Sequence, residues 1–197
     1  MFFTDYKIAA ERHLETCLQL QSILEIYKKK EDNGEILTLS EIQSKNDNLS
    51  NLYYLAGYII ECIYNCAIYK QIGFPSNVDV MELKPSNWSI HGITHDVSFR
   101  ARSGGGGPNT FIISQPGHKL SGNMHFFASA SHMTLNLSIP LLDGNNITRP
   151  CTQLFDNWNA EVRYSIDPII ILNYITVFDF FALANEIYTG LIKNSIV

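Results

Sequence analysis

One stretch constrains the fold more than any other. Leu52–Tyr69, reading LYYLAGYIIECIYNCAIY, is apolar or aromatic at nearly every position, and its only formal charge is Glu61. A helix that is apolar on all sides either crosses a membrane or forms the centre of a helical core. A span calls for about 20 lipid-compatible residues, whereas this run carries a mid-helix carboxylate, Asn65 and several tyrosines. We read it as the central helix of a packed core. Gly57 interrupts it at a cost of about 1 kcal/mol relative to alanine, and close approach of a neighbouring helix would explain the glycine. An unpaired carboxylate at Glu61 would cost several kcal/mol. The expectation is therefore a buried network in which Glu61 accepts hydrogen bonds from His118, Arg163 or Arg12.

The flanking segments supply helices to wrap this centre. From about Thr4 to Tyr27 the positions Tyr6, Ala10, His13, Leu14, Cys17, Leu20 and Leu24 recur at steps of three and four, the mark of an amphipathic helix. Thr4 is placed to cap its start, and Lys28, Lys29 and Lys30 suit its carbonyl end. Residues Glu31 to Ser50 read as a mobile polar connection with a turn at Asn33-Gly34 and one short helix starting at Ser40. The central helix is expected to stop near Gly73-Phe74-Pro75. Toward the carboxy terminus, Leu154, Trp158 and Val162 are spaced as a short helix ending around Arg163-Tyr164. Asp167-Pro168 then gives an N-cap and first-turn proline for a final helix to about Lys193. Its expected apolar face comprises Ile169, Ile170, Leu172, Tyr174, Ile175, Phe178, Phe181, Ala182, Ala184, Ile187 and Leu191. Asn173, Asp179 and Glu186 speak against a membrane span there.

Between these helices the pattern changes. SIHGITHDVSFRARS, NTFIIS and MTLNLSI are rich in β-branched and aromatic residues, with period-two alternation at Met133, Leu135, Leu137 and Ile139, which predicts strands. Gly104-Gly105-Gly106-Gly107 reads as a hairpin tip or disordered loop rather than a phosphate cradle, since no Lys-Ser/Thr follows it. Gly117 to His132 is compatible with helix or strand. His91 and His95 have metal-ligand spacing for a helix, but their neighbours look like strand or loop. Arg100 and Arg102, on one face of an expected strand, are the place in this insertion to look for phosphate contact.

The net charge of -5 over 197 residues argues against a surface built to hold long nucleic acid. Cys17, Cys62, Cys66 and Cys151 follow no metal-ligand pattern and read as buried free thiols of a reducing compartment. The amino terminus MFFTDYKIAAERH has too few apolar residues for a signal peptide, so the expected location is cytoplasmic.

The order of motifs resembles the HEPN domain family: Arg12-His13-Leu14 in a first helix, YLAGYIIEC (Tyr54 to Cys62) in a second, His118-Lys119-Leu120 later, then Trp158 and Arg163-Tyr164 in WNAEVRY. The resemblance leaves out about Met81 to Gly117. It implies a mainly α fold, an up-and-down helical bundle forming a single domain over residues 1–197. The Gly-rich, strand-prone insertion covers about 81–117, or extends to 141. It further implies a homodimer, or a partner protein such as a nucleotidyltransferase or another subunit of a prokaryotic phage-defence or toxin-antitoxin module. Many members of the family cleave RNA with an arginine followed four to six positions later by a histidine. That motif is absent here, because Arg12 directly precedes His13 and no histidine follows Arg100, Arg102, Arg149 or Arg163 at that spacing.

Two functions follow. The first is a binding, regulatory or scaffold subunit without a cofactor, in which Glu61, Arg100, Arg102 and Tyr164 serve binding. The second is a metal-independent endoribonuclease using a dispersed set, with His13, His118, Arg12 and Arg163 as candidates. Such an enzyme needs a base for the 2'-hydroxyl proton, an acid for the leaving oxygen and a cation for the developing phosphorane.

Overall fold

The structure, a computed structural model, describes residues 2–71, 74–80, 120, 149–163, 170–193 and 195–197. The described residues form a mainly helical bundle and contain no strand. The expected strands of the insertion lie outside them. So do the Gly104–Gly107 loop, His91, His95 and nearly all of Gly117 to His132. Within that last segment Leu120 alone is described, at a helical position and fully buried.

Helix α1 spans Phe3–Asp32. Its start is fixed by Asp5, whose carboxylate accepts the Phe2 backbone N–H at 2.8 Å, rather than by Thr4, which lies inside the helix. Lys29 and Lys30 occupy the last turn as expected. Asn33-Gly34 makes the turn, with Gly34 at φ 78, in the left-handed region that glycine adopts without strain.

Helix α2 spans Leu39–Gln71. It begins far earlier than the apolar run, and most of the stretch expected to be a connection is its first turns. The reason is a capping box. Thr38 N–H donates to the Glu41 carboxylate at 2.8 Å, and Glu41 N–H donates to Thr38 Oγ1 at 3.3 Å. The polar residues 40–51 are helical because α1 supports one side of them while water takes the other. Tyr27 Oη donates to Ser44 Oγ at 3.0 Å across this seam.

Contacts along α1 and α2 descend in opposite order. Tyr27 meets Ser44, His13 meets Tyr58 at 5.8 Å between ring centroids, and Phe3 meets Tyr69 at 6.3 Å. The two helices form an antiparallel hairpin with its tip at residues 33–38.

Thr152–Asn157 forms the short helix α3, and Ala160–Arg163 a 3-10 turn. The expected single helix through Leu154, Trp158 and Val162 breaks at Trp158, whose backbone is extended with ψ 133. All three side chains are nonetheless buried.

Helix α4 spans Tyr174–Lys193. Residues 170–173 are not helical, so the start expected at Asp167-Pro168 is displaced to Asn173, whose Oδ1 accepts Thr176 N–H at 3.0 Å. The buried stripe is Val177, Phe180, Phe181, Leu183, Ala184, Ile187 and Leu191, while Ile175 and Ala182 face outward. The stripe is therefore turned from the one expected, gaining Val177, Phe180 and Leu183. Each such residue contributes about 1.5–3 kcal/mol when fully buried.

Tyr174 Oη donates to Glu31 at the hairpin tip, Phe180 meets Tyr53, and Lys70 Nζ donates to the Ser195 carbonyl at the other end. Helix α4 thus runs parallel to α2 and antiparallel to α1, and docks on the central helix as expected. Among the described residues, α4 is the one helix long and apolar enough to cross a membrane. Its apolar stripe packs in the core, and both of its carboxylates, Asp179 and Glu186, are bound by Arg149.

Candidate functional site

The chemistry-bearing side chains that the structure brings together lie along the seam between α1 and α2. Tyr54, Tyr58 and Glu61 follow one another at steps of four and three, which places them on one face of α2. His13 of α1 packs on Tyr58 with the rings tilted by 42°. Tyr54 and Tyr58 meet edge to face at 4.8 Å, and Tyr58 meets Trp158 at 5.2 Å with an interplanar angle of 87°. These perpendicular arrangements suit the aromatic quadrupole and add about 0.5–1.5 kcal/mol per pair beyond the buried area.

Trp158 reaches this cluster because Gly57 has no side chain. A Cβ at residue 57 would lie 1.9 Å from the indole Nε1. The glycine thus admits an indole from the loop after α3 rather than a neighbouring helix. The indole N–H donates to the Tyr54 carbonyl at 3.2 Å. A second tie links the same regions, since the buried Tyr53 Oη donates to the Leu154 carbonyl at 2.9 Å. The extended backbone at Trp158 is what turns the indole into the notch.

Burial lowers the pKa of His13, so its half-buried imidazole is neutral at pH 7. Burial also raises Tyr58, helped by the hydrogen bond with Tyr54 and by the charge of Glu61. The same carboxylate adds to the effect of burial at Tyr6 and Cys62. Glu61 is half-buried and lies among Tyr6, Tyr58 and Cys62. Arg12 lies on the exposed side of α1. The other expected partners of Glu61, His118 and the side chain of Arg163, lie outside the described residues, as do Arg100, Arg102 and Tyr164. The Arg163 backbone closes the 3-10 turn.

Burial pushes the thiols of Cys17, Cys62 and Cys151 up to about 12, and raises that of Cys66. All four are buried and free, as the sequence suggested. A thiolate nucleophile has no support in such surroundings. Among the described residues no three His, Cys, Asp or Glu side chains gather as metal ligands.

A second polar cluster was not anticipated. Arg149 Nη2 donates to Asp179 at 2.7 Å and Nη1 to Glu186 at 2.7 Å, while Cys151 N–H donates to Asp179 at 3.1 Å. Burial opposes the charge of Asp179, yet the bonds from Arg149 and Cys151 prevail and hold its carboxyl below the usual value. Asp179 and Glu186 lie seven residues apart on one face of α4. That spacing was the available signal, but Arg149 gives no sign of being their partner. The fork fixes the start of α3 on α4, and with it the segment that delivers Trp158.

No family model matches the chain, and no curated protein and no solved structure matches it either.

Proposed function

We propose that the protein acts by binding, as a HEPN-like regulatory or scaffold subunit of a prokaryotic defence or toxin-antitoxin module in the cytoplasm. Its partner is a second copy of the chain or another subunit of that module, such as a nucleotidyltransferase. The observation that carries this reading is the exposure of large apolar side chains on an ordered end of the bundle. Ile36 is 95% and Leu39 86% exposed on either side of the buried anchor Leu37. Ile171 and Ile175 are 72% and 70% exposed beside Tyr174, which is tied to Glu31 at that same end. Apolar side chains grouped on an ordered surface mark interaction sites. The aromatic and imidazole groups of the α1–α2 seam support the reading from the other side, because they are engaged in packing that holds the hairpin and the Trp158 loop.

The competing reading, a metal-independent endoribonuclease, draws on one observation: the neutral His13 imidazole is in the correct form for a general base. Incubating the purified chain with total RNA in the presence of chelator separates the two. Intact RNA at high protein concentration is the expected result. Fragments that vanish with His13→Ala or His118→Ala would replace the binding reading with the enzymatic one.

A further inference from the structure

Asn33-Gly34 is the one Asn-Gly pair in the chain, and it stands at the exposed turn between α1 and α2. An asparagine carboxamide lies within reach of the backbone nitrogen of the next residue, and the side chain of that next residue is what chiefly hinders a ring from closing between them. Here there is none. Gly34 sits at φ 78, and the direction in which a Cβ would point is open, with nothing within 4 Å. Every other described asparagine is followed by a residue that has a side chain. Asn46, Asn48, Asn51 and Asn65, for example, lie inside α2 ahead of Asp47, Leu49, Leu52 and Cys66.

The folded turn restrains such a reaction without sealing it. Asn33 has φ -81 and ψ 0, so its backbone must rotate about ψ to bring the Gly34 nitrogen against the side-chain Cγ. Two bonds resist that rotation: Gly34 N–H donates to the Glu31 carbonyl at 2.9 Å, and Glu35 N–H donates to the Lys30 carbonyl at 3.0 Å. They close the C-terminal end of α1. Residues 31–36 are all exposed, and helix ends in solvent fray at far lower free energy than the whole fold opens.

We propose that Asn33 is a site of spontaneous covalent modification, converting to aspartate and isoaspartate in the folded chain and so loosening the tip of the α1–α2 hairpin. Base takes the proton from the Gly34 nitrogen, which attacks Asn33 Cγ. The new N–Cγ bond closes a succinimide while the Cγ–Nδ2 bond breaks and ammonia leaves. Water then adds to one of the two ring carbonyls and breaks its bond to the ring nitrogen, which recovers its proton. Opening at Cγ gives aspartate, whereas opening at the backbone carbonyl gives isoaspartate, with the chain running through Cγ. Nothing is oxidised or reduced, and the net change is one water gained and one ammonia lost. Either product places a carboxylate at the C-terminal end of α1, where the macrodipole is already negative and Asp32 and Glu35 stand beside it. Isoaspartate also lengthens the backbone by a methylene, which takes the Gly34 and Glu35 amides out of register with their carbonyl partners. The conversion depends on this turn alone, whatever the protein binds.

Ageing the folded full chain in mildly alkaline buffer, followed by peptide mass spectrometry and by enzymatic methylation of isoaspartate, tests the proposal. The peptide carrying Asn33 should gain the mass of an amide-to-acid conversion before any other asparagine peptide, and the chain should become a methyl acceptor. The aged chain should also unfold at a lower urea concentration than the fresh one. Asn33→Ser, which has no carboxamide to close the ring, should show none of these changes. Wild type kept in urea should convert faster than folded wild type, because the turn is then open. Conversion that appears first at another asparagine overturns the proposal, and so does an Asn33 that stays intact while the folded chain is aged. A urea midpoint that does not move as Asn33 converts, or that falls equally in aged Asn33→Ser, overturns the loosening of the tip.

Discussion

The indole of Trp158 occupies the notch that Gly57 leaves in the central helix, with Nε1 at 1.9 Å from where a Cβ at residue 57 would stand and 3.2 Å from the Tyr54 carbonyl it donates to. Two segments 104 residues apart in the chain are joined at that point.

Gly57→Ala should therefore destabilise the protein, although alanine is the better helix former by about 1 kcal/mol. Displacing the indole is an overpacking error of about 1–3 kcal/mol or more, and it also breaks the bond to Tyr54. A net loss of about 1–2 kcal/mol is expected in urea unfolding. In Trp158→Ala, where the notch is empty, the same glycine substitution should be neutral or stabilising.

The Arg149 fork predicts a pH-dependent loss. Asp179 is held below its usual value in the folded chain, so the stability it contributes is complete above the unfolded carboxyl pKa and fades as pH falls through the lower folded value. Asp179→Asn should cost about 1–3 kcal/mol at pH 7. The gap between variant and wild type, followed by urea midpoints, should narrow as pH falls below about 4.

His13 gives a titration of the opposite chemical type. Burial lowers its pKa, so below the unfolded value of about 6.5 the unfolded chain takes up the proton more readily, and folding weakens as pH falls. Between pH 7.5 and 5.5 the wild type should lose more stability than His13→Phe. NMR titration should place the imidazole below its ordinary value.

The four thiols should be silent toward a thiol reagent in the native chain and react fully in denaturant, since burial removes access and keeps each protonated. Reaction of Cys62 without unfolding would show that α2 is less enclosed than described.

The centre of this fold was legible in the sequence because the run from Leu52 has no polar face to give to water, which leaves enclosure by other helices as its one resting place outside a membrane. Gly57 also announced a close approach. Its partner was not legible, because no local pattern links this glycine to a tryptophan so distant in the chain. The helix start at Ser40 was legible to within a residue, since α2 begins at Leu39 behind the Thr38–Glu41 capping box, but its unbroken continuation through the polar residues into the apolar run was not, because that depends on the support of α1. At α4, Asp167-Pro168 looked like a helix start, but Asn173 provides the cap, and the buried stripe is turned toward Val177 and Phe180. For the site, His13 and Glu61 were identified from the residues, while the aromatic frame around them depends on which face α2 shows to α1 and on the Trp158 loop.

Native-state hydrogen exchange on the intact chain measures the central claim, that residues 52–69 are enclosed by α1 and α4, most directly. The account predicts that amides of 52–69 and 177–187 exchange slowest and together, with the free energy of global unfolding. Exchange of the 52–69 amides well before those of α4 would contradict it.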